Sequence, residues 1–478
     1  MVKAKAKTKA KTKSASSTDG SLRIRMYRVG FGDFFLVTAP SSDGPQHILI
    51  DCGVTKGQTG KGDIASIKAA VRHMGAETDH KLALIIVTHR HQDHIIGFSR
   101  SEDEFLKFKD RVDAIWMSFW ETEYDDQVKE VQAAMQDSAL ALYQAALAGD
   151  EDATNAEIAG LALNASGAEG PGGGTNAASL ALLKTKLGVK PTYYARGGAA
   201  ALPDGLVKAG LGVEILGPPP ADQIDFLKMM DLKKTVGQYL DATGGKSTKK
   251  VALSPFGREF RVAADAYPPN AFREWAPGGN VSNGRRHNRE LEAAVRDATP
   301  EALLMAAKKL DSVLNNQSLV VLFTWRGKRL LFAGDAQAGN WQSWLYDFDK
   351  PKKDPSKDPL SDEGRAILGS LAFYKVGHHG STNATPIAAV DAMGSDFVAM
   401  CSTQAGTFGN PDPKVGTEVP RTPLLAALEK KSTLVRSDNF AATVDGKTIR
   451  AVAGSDETLP RPAAGRFVKG DCYIDYFI

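Results

Sequence analysis

The segment Leu82 to Val87 is an unbroken apolar run rich in β-branched residues, and it leads directly into Thr88-His89-Arg90-His91-Gln92-Asp93-His94. A strand without polar alternation must be covered on both faces, so the chain is predicted to enclose its sheet between other layers. Loops that leave such strands collect at one sheet edge, where layered α/β proteins build their sites. In this loop His89 and His91 alternate, and an extended backbone sends both imidazoles to the same side. Asp93 and His94 fall where the chain turns into the next helix and reach a second point nearby. One short loop can therefore address two metal ions.

Two later segments have the same construction. Leu330 to Phe332 leads to Gly334-Asp335, and Leu371 to Val376 leads to Gly377-His378-His379-Gly380. A lone Asp after a strand is ordinarily a turn residue. Strand ends that carry His or Asp and share one edge would instead converge, with a carboxylate as the natural bridge between two cations. Around them, SLRIRMYRV, DFFLVTAP and HILIDCG read as strands, and Asp63 to Met74 has helical spacing with Ile64, Ile67, Ala70 and Val71 on one face. Val112 to Met117 is a further strand.

Residues 121–190 are Ala-rich and helical in pattern, broken by the GPGGGT loop, and read as an inserted excursion. Strands return near Thr192 to Ala195 and Val213 to Leu216, before the breaker Gly217-Pro218-Pro219-Pro220. A second insertion spans about 221–312, and strands resume from Ser318 to the final β-rich stretch. The predicted organisation is a tail over 1–20 and one domain over 21–478 that carries both insertions.

Charge matters mainly through its placement. Lys plus Arg number 59 against 56 acidic residues, but Lys3, Lys5, Lys7, Lys9, Lys11 and Lys13 crowd the start, so the remainder is slightly acidic. The start can bury almost nothing and is expected to be a disordered, cationic extension. Cysteine occurs only 3 times, without CxxC spacing, which excludes a disulfide scaffold and a thiolate metal site. A reducing compartment fits. No apolar run reaches the ~18 residues of a membrane span, and there is no apolar secretion signal, so a cytoplasmic location is expected.

The sequence resembles the metallo-β-lactamase-fold hydrolases, and within them the hydrolase domain of bacterial DNA-uptake (competence) channels. The likeness rests on VGFGD at Val29 to Asp33, LIDCG at Leu49 to Gly53, THRHQDH, NNQSLVV at Asn315 to Val321, LLFAGD, and KVGHHGS at Lys375 to Ser381, in that order. It covers roughly 21–116, 190–220 and 315–478. It implies an α/β (α+β) fold of the αββα type, a four-layer sandwich with a two-metal site on its upper edge. His89 and His91 would hold one ion, and Asp93, His94 and His379 the other, with Asp335 between them. His378 would contact substrate, and Asp51 would support the metal loop from beneath. Asp33, Asn316, Lys375 and Ser381 would be supporting or substrate-binding positions.

The chain departs from the family pattern at two places. The third His that many members give the first ion is missing, and Asn315 or Asn316 occupies the corresponding stretch. Asn410-Pro411 stands where a His-Pro is often found. His287 reads as an ordinary loop histidine, with substitution for the missing third ligand as the alternative, and the cluster it forms with Arg285, Arg286 and Arg289 reads as a solvated basic loop, with phosphate steering as the alternative. Gly244-Gly245-Lys246-Ser247 is no phosphate loop, because Leu240 stands where the opening Gly belongs. Trp116, Trp120 and Trp275 read as packing residues, and His47, His73 and His80 have no partner spacing.

A His/Asp ligand set suits two divalent ions, Zn²⁺ first and Mn²⁺ second. The expected activity is phosphodiester hydrolysis through a metal-bridging hydroxide, with Asp93 orienting the attacking oxygen and His378 or a metal-bound water protonating the leaving one. The resembled branch is associated with cleavage of nucleic acid or phosphocholine esters, which makes a phosphodiester, nucleic acid among the candidates, the expected substrate. Lys375, His378 and Ser381 are expected donors to phosphate oxygens. An acyl hydrolase on the same site and a non-catalytic binding scaffold are the alternatives.

Overall fold

The computed structural model describes residues 20–55, 67–148, 153–166, 175–229, 300–410, 416–444 and 447–478. The Lys-rich start, most of the second insertion with Trp275, His287 and its arginines, the Gly244–Ser247 segment and Pro411 lie outside them.

The first sheet contains β1 (Arg23–Tyr27), β2 (Phe34–Ala39), β3 (Gln46–Cys52), β4 (Leu82–Val87), β5 (Val112–Ser118) and β6 (Pro191–Tyr194). The second contains β7 (Leu211–Gly217), β8 (Val320–Trp325), β9 (Lys328–Phe332), β10 (Leu371–Lys375), β11 (Phe397–Cys401) and β12 (Ser432–Arg436). After a ribbon of β13 (Ala442–Val444) and β14 (Lys447–Ile449), β15 (Arg466–Lys469) and β16 (Tyr473–Phe477) return to the first sheet. The strand orders are β15-β16-β1-β2-β3-β4-β5-β6 and β12-β11-β10-β9-β8-β7.

Period-two alternation explains how the sheets pack. Phe35, Val37, Ile48, Ile50, Leu84 and Ile86 of the first sheet share one core with Val321, Phe323, Leu330, Phe332, Val398 and Met400 of the second. Their neighbours point the other way. Leu36, Leu49 and Ile85 pack against α1 (Ile67–Glu77) and α2 (Gln92–Arg100) through Ile67, Val71, Ile95 and Phe98. Leu322, Leu331, Tyr374 and Ala399 pack against Trp341, Ile367, Leu368, Val390 and Leu424 of later helices. The fold is therefore mixed α and β, with two principal sheets. Strand β4 is buried throughout, as a run without polar alternation requires.

The Ala-rich excursion is mainly helical where described, over α3 (Asp126–Ala148), α4 (Ala153–Ser166) and α5 (Asn176–Ala181). Asn315 and Asn316 end a helix, Pro300–Asn316, that runs through the expected end of the second insertion. Its Ala307, Leu310 and Leu314 pack with Ala139, Leu142 and Ile158, so the two insertions meet in one helical cluster. Trp116 lies in the core between the sheets, and Trp120 is buried with its Nε1 donating to the Pro219 carbonyl at 2.8 Å.

Candidate metal centre

Strands β3, β4, β9 and β10 end at a common edge, and backbone contacts hold the loops together there. Leu319 N donates to Thr88 O at 2.9 Å, His378 N to Gly334 O at 3.1 Å, and Asp335 N to Ser318 Oγ at 3.1 Å. The His89–His94 loop lies directly on Gly53, where a Cβ would stand 2.1 Å from Asp93 C and from His94 N. Only a residue without a side chain lets the loop approach this closely.

Asp51 carries positive φ (54°) inside β3, where the β2–β3 register shifts so that Phe34 pairs with Cys52 and Phe35 with Ile50. Asp51 is thus the extra residue of a bulge, a device that re-aims a side chain. Its carboxylate accepts from Thr88 N at 2.8 Å and Thr88 Oγ1 at 2.7 Å, and it lies 2.8 Å from His94 Nδ1. His379 Nδ1 lies 2.8 Å from the Ser402 carbonyl, which can only accept, so this nitrogen is the donor. His89 Nδ1 lies 3.1 Å from Thr88 Oγ1. In each case the contact at Nδ1 turns Nε2 toward the common edge, the outer-shell arrangement that ligating histidines use. His378 and His379 have positive φ (43° and 51°), and such strained backbone is commonly retained at functional sites.

Asp93, His94, Asp335 and His379 form a cluster that could hold a metal ion. Ligands of one ion with bonds of about 2.0–2.2 Å stand about 3.0 Å apart at a right angle and about 3.4 Å at the tetrahedral angle. His94 Nε2 is 3.0 Å from Asp335 Oδ2, and His379 Nε2 is 3.0 Å from Asp93 Oδ2 and 3.5 Å from Asp335 Oδ2. Nε2 of His89, His91, His94 and His379 and both oxygens of Asp335 are buried, yet none has a hydrogen-bond partner among the described residues. Orphaned polar atoms at such distances fit the ligands of a cation better than a set of imidazole–carboxylate hydrogen bonds. His89 and His91 adjoin the cluster, with the His89 ring 4.2 Å from that of His94 and 4.6 Å from that of His91.

The electrostatics separate the four histidines into two pairs. Burial, with the neighbouring imidazoles, pushes His89 well below its usual range, and burial takes His91 down to about 4, so both are neutral. At His94 burial is outweighed by Asp335 and Asp51, and at His379 by Asp335 and Asp33, so both are raised. Asp335 and Asp93 stay ionised despite burial. His94 and His379 hold Asp335 well below the carboxylate range, and the same two hold Asp93 down at about 2.

Other expected site residues have different surroundings. Lys375 does not face the edge. It is buried beneath the cluster, its ammonium paired with Asp33 and donating to Gly334 O at 3.0 Å, so it is not placed to donate to a phosphate oxygen. Asn316 is also structural rather than substrate-binding, because its side chain donates to Leu227 O and Met229 O and accepts from Asn340 N. Ser381 is buried, with Oγ 2.8 Å from His378 Nδ1 and donating to Asn383 Oδ1 at 2.5 Å, so it orients His378. His378 remains at the mouth, its side chain 20% exposed and Nε2 3.9 Å from Asp335 Oδ2. Asp33 and Asp51 also approach His94 closely, but Lys375 and Thr88 already engage them, which favours a supporting role.

Sequence reasoning missed Thr88 and Ser402 as orienting groups and Asp311, whose Oδ1 is 3.5 Å from His91 Nε2. For Asp311 a signal exists: it stands one helical turn before Asn315, on the same face. His47 and His73 are remote from this edge, contacting Thr38 and Tyr27 instead. No model of a known protein family matches the chain, and no curated protein is significantly similar to it in sequence.

Proposed function

We propose that this chain is a metal-dependent hydrolase of the metallo-β-lactamase type, an αββα four-layer sandwich carrying two divalent ions, and that it cleaves phosphodiesters, with nucleic acid among the candidates. The observation that supports it is the cluster of Asp93, His94, Asp335 and His379 with His89 and His91 beside it, in which Nε2 of all four histidines and both Asp335 oxygens are buried without a hydrogen-bond partner among the described residues. Zn²⁺ is the first expectation for this donor set and Mn²⁺ the second. His89 and His91 would hold one ion, Asp93, His94 and His379 the other, and Asp335 would lie between them. Such ions lower the pKa of water and neutralise charge that develops on a phosphoryl group.

The chain's own groups divide the remaining work. Asp51, Thr88 and Ser402 hold the ligand imidazoles in place. Asp93 Oδ1, the oxygen not against His379, would accept a hydrogen bond from the attacking water and orient it. Burial lowers His378, so near neutral pH this partly exposed imidazole, braced at Nδ1 by Ser381 and Asn383, hydrogen-bonds the substrate, and a water at the site would protonate the departing oxygen. The choice of phosphorus over carbonyl carbon rests on the likeness of NNQSLVV and KVGHHGS to the competence-type branch.

The test is purified protein supplied with Zn²⁺ or Mn²⁺ and offered bis(p-nitrophenyl) phosphate and a chromogenic lactam in parallel. Turnover of the diester alone is the expected result. Turnover of the lactam alone would replace this reading with an acyl hydrolase. Inertness toward both, with less than one ion per chain, would leave a binding scaffold.

A further inference from the structure

We propose that Asp311, delivered by the helix Pro300–Asn316, is a protein ligand of the ion held by His89 and His91. The inference rests on the two-ion reading above and completes its weaker half. In the strand-end loops that ion has only two imidazoles and a share of Asp335, whereas its neighbour has the tight quartet of Asp93, His94, Asp335 and His379.

Asp311 Oδ1 lies 3.5 Å from His91 Nε2. That is long for a hydrogen bond and close to the ~3.4 Å between two tetrahedral ligands of one ion. His91 Nε2 is buried and has no hydrogen-bond partner among the described residues, so the imidazole is aimed at a position that Asp311 also reaches.

The helix is built to hold the carboxylate there. Asn315, one turn on and fully buried, donates Nδ2 to Asp311 Oδ2 at 3.0 Å, fixing the second oxygen. The adjacent Ser312 donates to Gln337 Oε1 at 2.6 Å, and Asn316 accepts from Asn340 N at 3.0 Å, which anchors the last turn to the loop after Asp335. On the opposite face Leu310 and Leu314 pack into the helical cluster with Leu142 and Ile158. A carboxylate fixed on both sides of its helix loses little entropy on binding an ion. Oxygen replacing imidazole at this place would also shift the preference of this ion toward Mn²⁺ relative to its neighbour.

The experiment counts metal and does not depend on turnover. Wild-type chain, Asp311→Asn and His379→Ala are loaded with Zn²⁺, desalted and analysed for bound ion, and affinities are measured by titration. Wild type is expected to retain two equivalents. Asp311→Asn should retain one, with the affinity for the other reduced at least about tenfold, and His379→Ala should lose the complementary ion. Two equivalents bound by Asp311→Asn with unchanged affinity would overturn the assignment and leave the two-ion reading standing. Fewer than two in the wild type would overturn both. A measurement on the wild type alone guards against a variant that does not fold: Zn²⁺ should slow amide exchange across residues 311–316 at least about tenfold, and unchanged exchange there overturns the assignment.

Discussion

At the scale of single residues, the proposed metal site sets protons in competition with cations. His89 and His91 are neutral well below pH 7, whereas His94 and His379 are raised by the carboxylates around them. Raised groups keep their protons as pH climbs through the ordinary imidazole range, so an ion entering the Asp93/His94/His379 half must displace them. Zn²⁺ binding at pH 7 should therefore release at least about one proton per chain, and affinity in this half should fall as pH drops. The His89/His91 half should be much less sensitive down to about pH 5. Calorimetry in buffers of different ionisation enthalpy reads the proton count, and a count of zero at pH 7 contradicts the sign of these shifts. The same residues set the expected cost of mutation. His91→Ala and Asp335→Asn should each lower diester turnover more than about a hundredfold, with far-ultraviolet circular dichroism unchanged. Unaltered rates in both would refute the site.

Elements decide whether those residues meet, and here parts of the design were legible in the sequence while others were not. Strand β4 and its loop could be read because a buried strand running straight into alternating histidines forces those side chains onto one exposed edge. Asp335 and the pair His378-His379 followed from the same strand-to-ligand pattern, which does not say which of the pair turns inward. The Asp51 bulge could not be read: its positive φ comes from a one-residue mismatch between β2 and β3, and LIDCG looks like ordinary strand. Lys375 was misleading for a related reason. A lysine near the end of a strand reads as a donor at the edge, but alternation places it in the buried space beneath, against Asp33. Asp311 was passed over because it precedes the NNQSLVV stretch inside a helix, and only the side-chain contacts of that helix's last turn with Gln337 and Asn340 show that it reaches this edge. Gly53 tests the element scale directly. Its substitution by Ala places a methyl against the backbone of Asp93 and His94, which cannot rotate away as a side chain would. Gly53→Ala should cost about 1–3 kcal/mol in denaturant unfolding and weaken metal binding at the same time, because relief of the clash moves the ligand loop. Retention of both wild-type stability and wild-type affinity would show that the loop does not need this close approach.

For the whole molecule, the decisive contact joins the two ends of the chain. The first sheet is incomplete until β16 returns to β1, with Arg25 opposite Asp475 in the antiparallel register. Their side chains form a buried two-bond pair, Nε to Oδ1 at 2.7 Å and the second guanidinium nitrogen to Oδ2 at 2.8 Å, with Tyr473 stacked 3.4 Å from the Arg25 guanidinium carbon. Burial opposes the charge of Arg25, and Asp475 more than restores it. Removal of one partner leaves a desolvated charge without its counterion, so Asp475→Ala should destabilise the protein by about 3–5 kcal/mol. Glu77, 3.7 Å from Arg25, compensates only in part because it already pairs with Arg23 at 2.6 Å. Replacement of both partners by leucine removes the charge together with the need for it, and the double variant should recover most of that loss. Urea unfolding of the two single variants and the double variant separates these terms. If Asp475→Ala is as stable as wild type, closure of the sheet is carried by the apolar face of β16, through Ile474 and Tyr476 in the shared core, and the ion pair is not what holds the chain's last strand to its first.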